Sequence, residues 1–224
     1  MSNTSKRAPQ TVDSAEAFVR DNTHLMAPPL VPEIRLHLAE ESVPIWQKSE
    51  EELGEMNVPP PFWAFACPPA HANARYLLDH PALCNDQSVI DLGAGSGLTA
   101  IAAAKSGARS VLAADIDQFA RTSCRLNAAA NGVAVTVTGD DLLKMPATKA
   151  GVVLIGDLFY ERALADQVIA YVDKAKALGA AVYIGDPQRS YFPRDRFTLL
   201  ASYQVPVTRE LEDSEIKKTA VWRA

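Results

Sequence analysis

Downstream of residue 87 the apolar positions fall into a regular alternation of two patterns. "SVIDL" (88–92), "SVLAAD" (110–115), "VAVTVTG" (133–139), "GVVLIGD" (151–157) and "AAVYIGD" (180–186) are short apolar runs that read as strands. Between them, "LTAIAAAKSG" (98–107), "DQFARTSCRLNAAANG" (117–132) and "ERALADQVIAYVDKAKALG" (161–179) carry helical spacing. Gly107 and Gly132 stand where helix C-caps belong. Strands that alternate with helices of this length pair in parallel through right-handed crossovers, which predicts an open, doubly wound α/β sheet. Such sheets bind ligands outside the carboxyl ends of their strands. The last stretch, "RFTLLASYQVPVTRELEDSEIKKTAVWRA", has two β-like runs around an acidic turn and predicts an antiparallel hairpin that finishes the sheet.

Upstream the pattern is broken. A short helical pattern spans Ser14 to Arg20, and "IRLHL" (34–38) alternates, but prolines at 28, 29, 32, 44, 59, 60 and 61 interrupt any long element. Residues 1–60 therefore read as a loosely structured N-terminal appendage to a domain over 61–224. The acidic "KSEEELGE" within the appendage reads as a solvated run. The segment "PPFWAFACPPAHANARYLLDHP" carries an aromatic run from Phe62 to Phe65, a proline pair at 68 and 69, and a helix-like stretch with Leu77 and Leu78 on one face.

The first strand of the alternation runs into "IDLGAGSG". In a dinucleotide loop of the form GxGxxG the third glycine would fall on Leu98; the pattern here is DxGxGxG, with Asp91 ahead of Gly93, Gly95 and Gly97. A pyrophosphate wants bare amide donors at a helix N-terminus. An acid at the strand end repels phosphate and suits a ligand with a cationic amine, which points to S-adenosylmethionine, a carrier of an ammonium and no phosphate. Glycines let the backbone approach such a ligand closely. Asp115, at the end of the next strand, stands where a ribose diol is bonded in this architecture, with Asp117 as rival in a helix N-cap position. Asp140, after the third strand, is placed to accept from an adenine amine, with Asp141 as alternative. The fourth strand ends in "GDLFYE", which brings Asp157 to the same crevice beside Phe159 and Tyr160, unless Asp157 only caps the helix that starts near Glu161.

Composition narrows the classes. At 224 residues and 48% hydrophobic content, one sizeable core is expected. Acids outnumber bases, 27 to 22, and no basic stripe forms, so no nucleic-acid partner is expected. Cys67, Cys84 and Cys124 form no CxxC pair and the four histidines have no ligand spacing, so neither disulfide framework nor metal site is predicted. No run approaches the roughly 20 apolar residues of a membrane helix. The N-terminus lacks the apolar core of a secretory signal, and Asp13, Glu16 and Asp21 are out of place in a transit peptide; a cytoplasmic protein without a membrane partner is expected.

With these residues assembled, the chain resembles the class I S-adenosylmethionine-dependent methyltransferases over about residues 60 to 224, and within them the electron transfer flavoprotein beta-subunit lysine methyltransferases and their bacterial relatives. The narrower resemblance rests on "PFWAFACPPAHANARYLLDHP", "VIDLGAGSGLTAIAAAKSGA", "AADIDQFARTSCRLNAAANG", "GDLFYE", "YIGDPQRSYFP" and "TAVWRA". It implies a Rossmann-like seven-stranded sheet, mostly parallel with a C-terminal antiparallel hairpin and helices on both faces. It also implies methyl transfer from S-adenosylmethionine to lysines of a protein substrate, the electron transfer flavoprotein beta subunit. The family's DxFY element falls on Asp157, Phe159 and Tyr160; the (D/N)PP(Y/F) of many amino-methylating relatives is absent, with Leu158 and Phe159 in place of its prolines. The resemblance implies catalytic roles for Asp157 and Tyr160, with Glu161 a weaker second, and makes Trp63 either an aromatic lid or a core residue. Where relatives often carry tryptophan, this chain has Cys67 followed by two prolines. Rival readings are a methyltransferase of a small amine, a silent binding module, and a nicotinamide-dependent oxidoreductase, against which Leu98 and Asp91 argue.

Overall fold

The computed structural model describes residues 12–39, 60–206 and 216–224. The chain opens with helix α1 (Val12–Asp21) and a small antiparallel pair, β1 (His24–Met26) and β2 (Leu36–Leu38). Helix α2 (Pro68–Asp79) follows, with its proline pair in the first turn, where no intrahelical N–H is required. The alternation then runs β3 (Ser88–Leu92), α3 (Leu98–Lys105), β4 (Ser110–Ala114), α4 (Gln118–Ala130), β5 (Thr136–Thr138), β6 (Val152–Gly156), α5 (Arg162–Ala177) and β7 (Ala181–Asp186), and closes with the hairpin β8 (Thr198–Pro206) and β9 (Ile216–Arg223).

Seven strands form one sheet in the order β5-β4-β3-β6-β7-β9-β8. Strands β3 to β7 pair in parallel, and β9 lies antiparallel to both β7 and β8. From β3 the chain winds outward to β5 and then jumps back across β3 to β6, so the topological switch lies at β3.

Successive residues of each central strand enter different cores, as the pleat demands. Val89 and Leu154 join residues of α2, α3 and α4 in one apolar layer, while Ile90, Val153 and Ile155 join α5 in the other. Helices thus cover both faces. Strand β5 is shorter than its apolar run suggests, three residues at the sheet edge where a partner lies on one side alone.

The N-terminal segment departs from the loose appendage expected of it. Val31, Ile34 and Leu36 are fully buried in the same layer as Leu98 and Leu154, and Ala15 and Val19 pack with Trp63 and Phe119. Polar groups of α4 complete the attachment. Asn131 accepts from the Arg35 amide at 3.0 Å and donates to its carbonyl at 2.6 Å. Buried Asn127 accepts from the His37 amide at 2.7 Å and donates to the Ser96 carbonyl at 2.8 Å. The prolines prevent long elements without preventing burial, which is why periodicity misses this packing. The acidic runs at 48–55 and in the β8–β9 turn lie outside the described residues.

Replacing Ile34 by Ala should destabilise the protein by about 2–5 kcal/mol in urea unfolding, the cost of a cavity in a closed core. A loose appendage would leave the midpoint unmoved.

Candidate cofactor and acceptor site

The loop after β3 turns on left-handed backbone. Gly93, Gly95 and Gly97 have φ of +66°, +52° and +80°, values that side chains rarely tolerate. A Cβ on Gly97 would stand 2.6 Å from Cys124 Sγ, whereas one on Gly95 would meet no atom within 4 Å. The loop is held to β4: the Gly93 and Ala94 amides donate to the Ala114 carbonyl at 2.9 and 3.2 Å, and the Gly95 amide donates to Asp115 Oδ2 at 2.9 Å. Asp115 Oδ1 accepts from the Asp117 amide at 2.9 Å, and Asp117 in turn accepts from the Phe119 amide at 2.9 Å as the N-cap of α4. Asp117 is thus occupied as a cap, while Asp115 binds the loop and remains half-buried.

Asp91 is 2% exposed, and its Oδ2 has no hydrogen-bond partner among the described residues. Burial, with the charge of Asp115 adding to it, pushes its carboxyl up to about 8. A buried carboxyl with an orphaned oxygen beside an open glycine loop fits a ligand that brings an ammonium and no phosphate. Asp140 is exposed on the loop after β5 and accepts from Thr138 Oγ1 at 2.7 Å, and Asp141 pairs with Lys144 at 2.8 Å. The Asp115 amide donates to the Thr138 carbonyl at 3.2 Å, so the two loops adjoin.

Trp63 is placed in the core. It is 1% exposed and stacks on Phe119 with ring centroids 5.8 Å apart. Its neighbours in α1 and α4 come from segments whose contact the sequence pattern does not reveal.

After β6 the chain makes a second left-handed turn at Asp157, φ +56°, whose amide donates to the Gly185 carbonyl at 3.1 Å. The carboxylate is gripped by Arg189 in a two-point fork, Nε to Oδ1 at 2.7 Å and Nη2 to Oδ2 at 2.8 Å. Arg189 is itself anchored: its amide and that of Gln188 donate to Asp186 Oδ1 at 2.9 and 2.7 Å. Asp186, at the end of β7, is fully buried, and burial pushes it up to about 6. Asp157 does not cap α5, whose N-cap is Glu161. Phe159 is fully buried edge-on to Phe192 at 5.0 Å, whereas Tyr160 is 56% exposed on the rim. Cys67, at the N-cap of α2, has its thiol pushed up to about 12 by burial first and by the charges of Asp157 and Asp91 after it.

The structure brings together Asp91, the three glycines, Asp115 and Asp157 where β3, β4 and β6 end, with Asp140 on an adjoining loop; the residue that sequence patterns do not single out is Arg189. Its one local signal is "GDPQRSYFP", an arginine three residues beyond a strand-end acid. A concavity of about 590 Å³ lined by Ala104, Arg109, Arg125 and Val133 lies by Ser110, at the amino end of β4, and is separate from this edge.

A switch at β3, an acid ahead of the glycine loop and a second acid that bonds that loop make this chain a class I S-adenosylmethionine-dependent methyltransferase. The fold is shared with the Pyrococcus abyssi tRNA (uracil-54, C5)-methyltransferase solved with S-adenosyl-L-homocysteine: TM-score 0.51 at 17% identity, covering 67% of this chain and 38% of that one. Residues 76–178 match the family described as ribosomal protein L11 methyltransferase (PrmA). The electron transfer flavoprotein beta subunit lysine methyltransferase of Danio rerio is 34% identical over 94% of this chain and 83% of its own length; that of Mus musculus is 35% identical over 92% and 83%. The chain belongs to the electron transfer flavoprotein beta subunit lysine methyltransferase family.

Asp91 generates a prediction in two parts. In the ligand-free fold it keeps its proton to about pH 8, whereas in the unfolded chain it ionises near 3.8. Its contribution to stability is full below the unfolded value and is lost as pH rises through about 8. Asp91→Asn should therefore make the ligand-free protein more stable at pH 8, by on the order of a few kcal/mol in urea unfolding, while abolishing S-adenosylhomocysteine binding in calorimetry. In the wild type, binding near pH 7 should release protons, read as a buffer-dependent binding enthalpy.

Proposed function

We propose that this protein transfers methyl groups from S-adenosylmethionine to lysine side chains of the electron transfer flavoprotein beta subunit. The substrate follows from what its relatives are named for, and the chemistry is carried by one observation: Asp157 stands at the carboxyl end of β6, the strand next to the one that carries Asp91. In this reading Asp91 takes the cofactor ammonium, Asp115 the ribose and Asp140 the adenine amine, Gly93 and Gly97 turn the loop, and the open space at Gly95 makes room for the ligand. Trp63 supports the cofactor side from within the core.

Bound there, S-adenosylmethionine supplies an electrophilic methyl carbon. The chain's remaining task is to present a neutral amine in line with it. A lysine has a reference pKa near 10.4, so freeing its lone pair at pH 7 costs roughly 4 to 5 kcal/mol. Desolvation in an apolar channel lowers that cost. Asp157 captures and orients the incoming ammonium, and Tyr160, exposed three residues along, packs or hydrogen-bonds against the incoming side chain. The three free cysteines suit a reducing compartment, the cytoplasm in this reading.

Incubation of the enzyme with the purified beta subunit and methyl-labelled cofactor should give a labelled protein, with the mass shift on lysine by peptide mass spectrometry. Label confined to small molecules would favour a small-amine acceptor instead. Asp157→Ala should abolish transfer while S-adenosylmethionine still binds in calorimetry; retained transfer would sink the assignment of Asp157.

A further inference from the structure

The guanidinium that holds Asp157 has no part in the reading above. Asp157 is fixed twice over: its amide bonds Gly185 of β7, and its carboxylate is held at both oxygens by Arg189, whose own amide is fixed by buried Asp186. The pair is only part-exposed, 20% for Asp157 and 40% for Arg189. A lysine that arrives at Asp157 therefore meets an ion pair and not a bare anion. A bare carboxylate would hold the acceptor amine in its charged form, which has no lone pair to attack with. Each carboxylate oxygen bonded to Arg189 keeps acceptor capacity for an amine N–H.

We propose that Arg189 is a positioning residue for methyl transfer: it fixes the Asp157 carboxylate and offsets its charge, so that the acceptor lysine is oriented without being held as an ammonium. This rests on Asp157 being the group that receives the lysine. Other charged or titratable groups around Asp157 are Cys67 from α2, Asp91 from β3, Asp115 from β4, Tyr160 and Glu161 on its own loop, and Asp186 from β7. All of them remain in the Arg189 variants; the Arg189 charge also lowers Cys67, Tyr160 and Asp186, so Arg189→Gln moves these groups up as well, whereas Arg189→Lys keeps the charge that acts on them.

The test measures turnover of the beta subunit at saturating S-adenosylmethionine from pH 6 to 10 for wild type, Arg189→Gln, Arg189→Lys and Asp157→Asn. Removing the positive charge should move the acid limb of the Arg189→Gln profile up by about one pH unit, which is about a tenfold loss at pH 7 that is recovered by pH 10. Arg189→Lys keeps the charge but loses the two-point fork. It should leave the limb at the wild-type position and lower turnover evenly at every pH, and it carries the comparison if the glutamine variant does not fold. An Arg189→Gln loss that is the same at all pH values, or a lysine variant shifted as far as the glutamine one, would overturn the proposal while leaving Asp157 in place. Full activity of Asp157→Asn would instead remove the reading on which the proposal stands.

Discussion

The site depends on the parallel register of β3 with β4 on one side and β6 on the other. Asp91 lies level with Ala113 of β4 and Leu154 of β6, so the three strands end together and their following loops emerge at one edge. The loops after β4 and β6 then each bring an acid to that edge: Asp115 two residues past Ala113, and Asp157 just past Gly156. With β7 in register beside β6, Asp186 joins the same row. The acids of this edge thereby come together from residues nearly a hundred positions apart.

A row of four carboxylates in one crevice would repel itself if all were bare. Each is managed differently. Asp91 is buried, which pushes its carboxyl up to about 8, and Asp186 is buried with two amide donors on one oxygen. Asp115 accepts one backbone amide at each oxygen, which binds the glycine loop to the next one and leaves further acceptor capacity. Asp157 takes a guanidinium. Under the proposed function these differences separate a cofactor side, where a positive ligand is wanted, from an acceptor side, where a positive ligand must lose its proton.

What was legible in the sequence followed the chain's local rules. Strand-end acids, helix-closing glycines and the glycine loop announce themselves over a few residues, because the pleat and the left-handed turn are local constraints. Gly97 is a case in point: its φ of +80° needs only glycine, although the Cys124 sulfur that crowds it is far along the chain. What stayed hidden was non-local. The burial of Ile34 against the α3 layer, the depth of Trp63 between α1 and α4, and the reach of Arg189 to Asp157 across 32 positions all depend on side chains meeting after the sheet has formed. Proline-broken segments hide such packing most, since their apolar residues follow no period.

Asn127 joins two regions that the sequence keeps apart. One buried amide accepts from the backbone of β2 and donates to the backbone of the glycine loop at Ser96. Neither bond can break without leaving a buried polar group unsatisfied. The N-terminal segment and the glycine loop are therefore coupled in their fluctuations: the amides of both should exchange with solvent as a single opening unit, and a ligand that quiets the loop should slow exchange in β2, far along the chain from any contact with it.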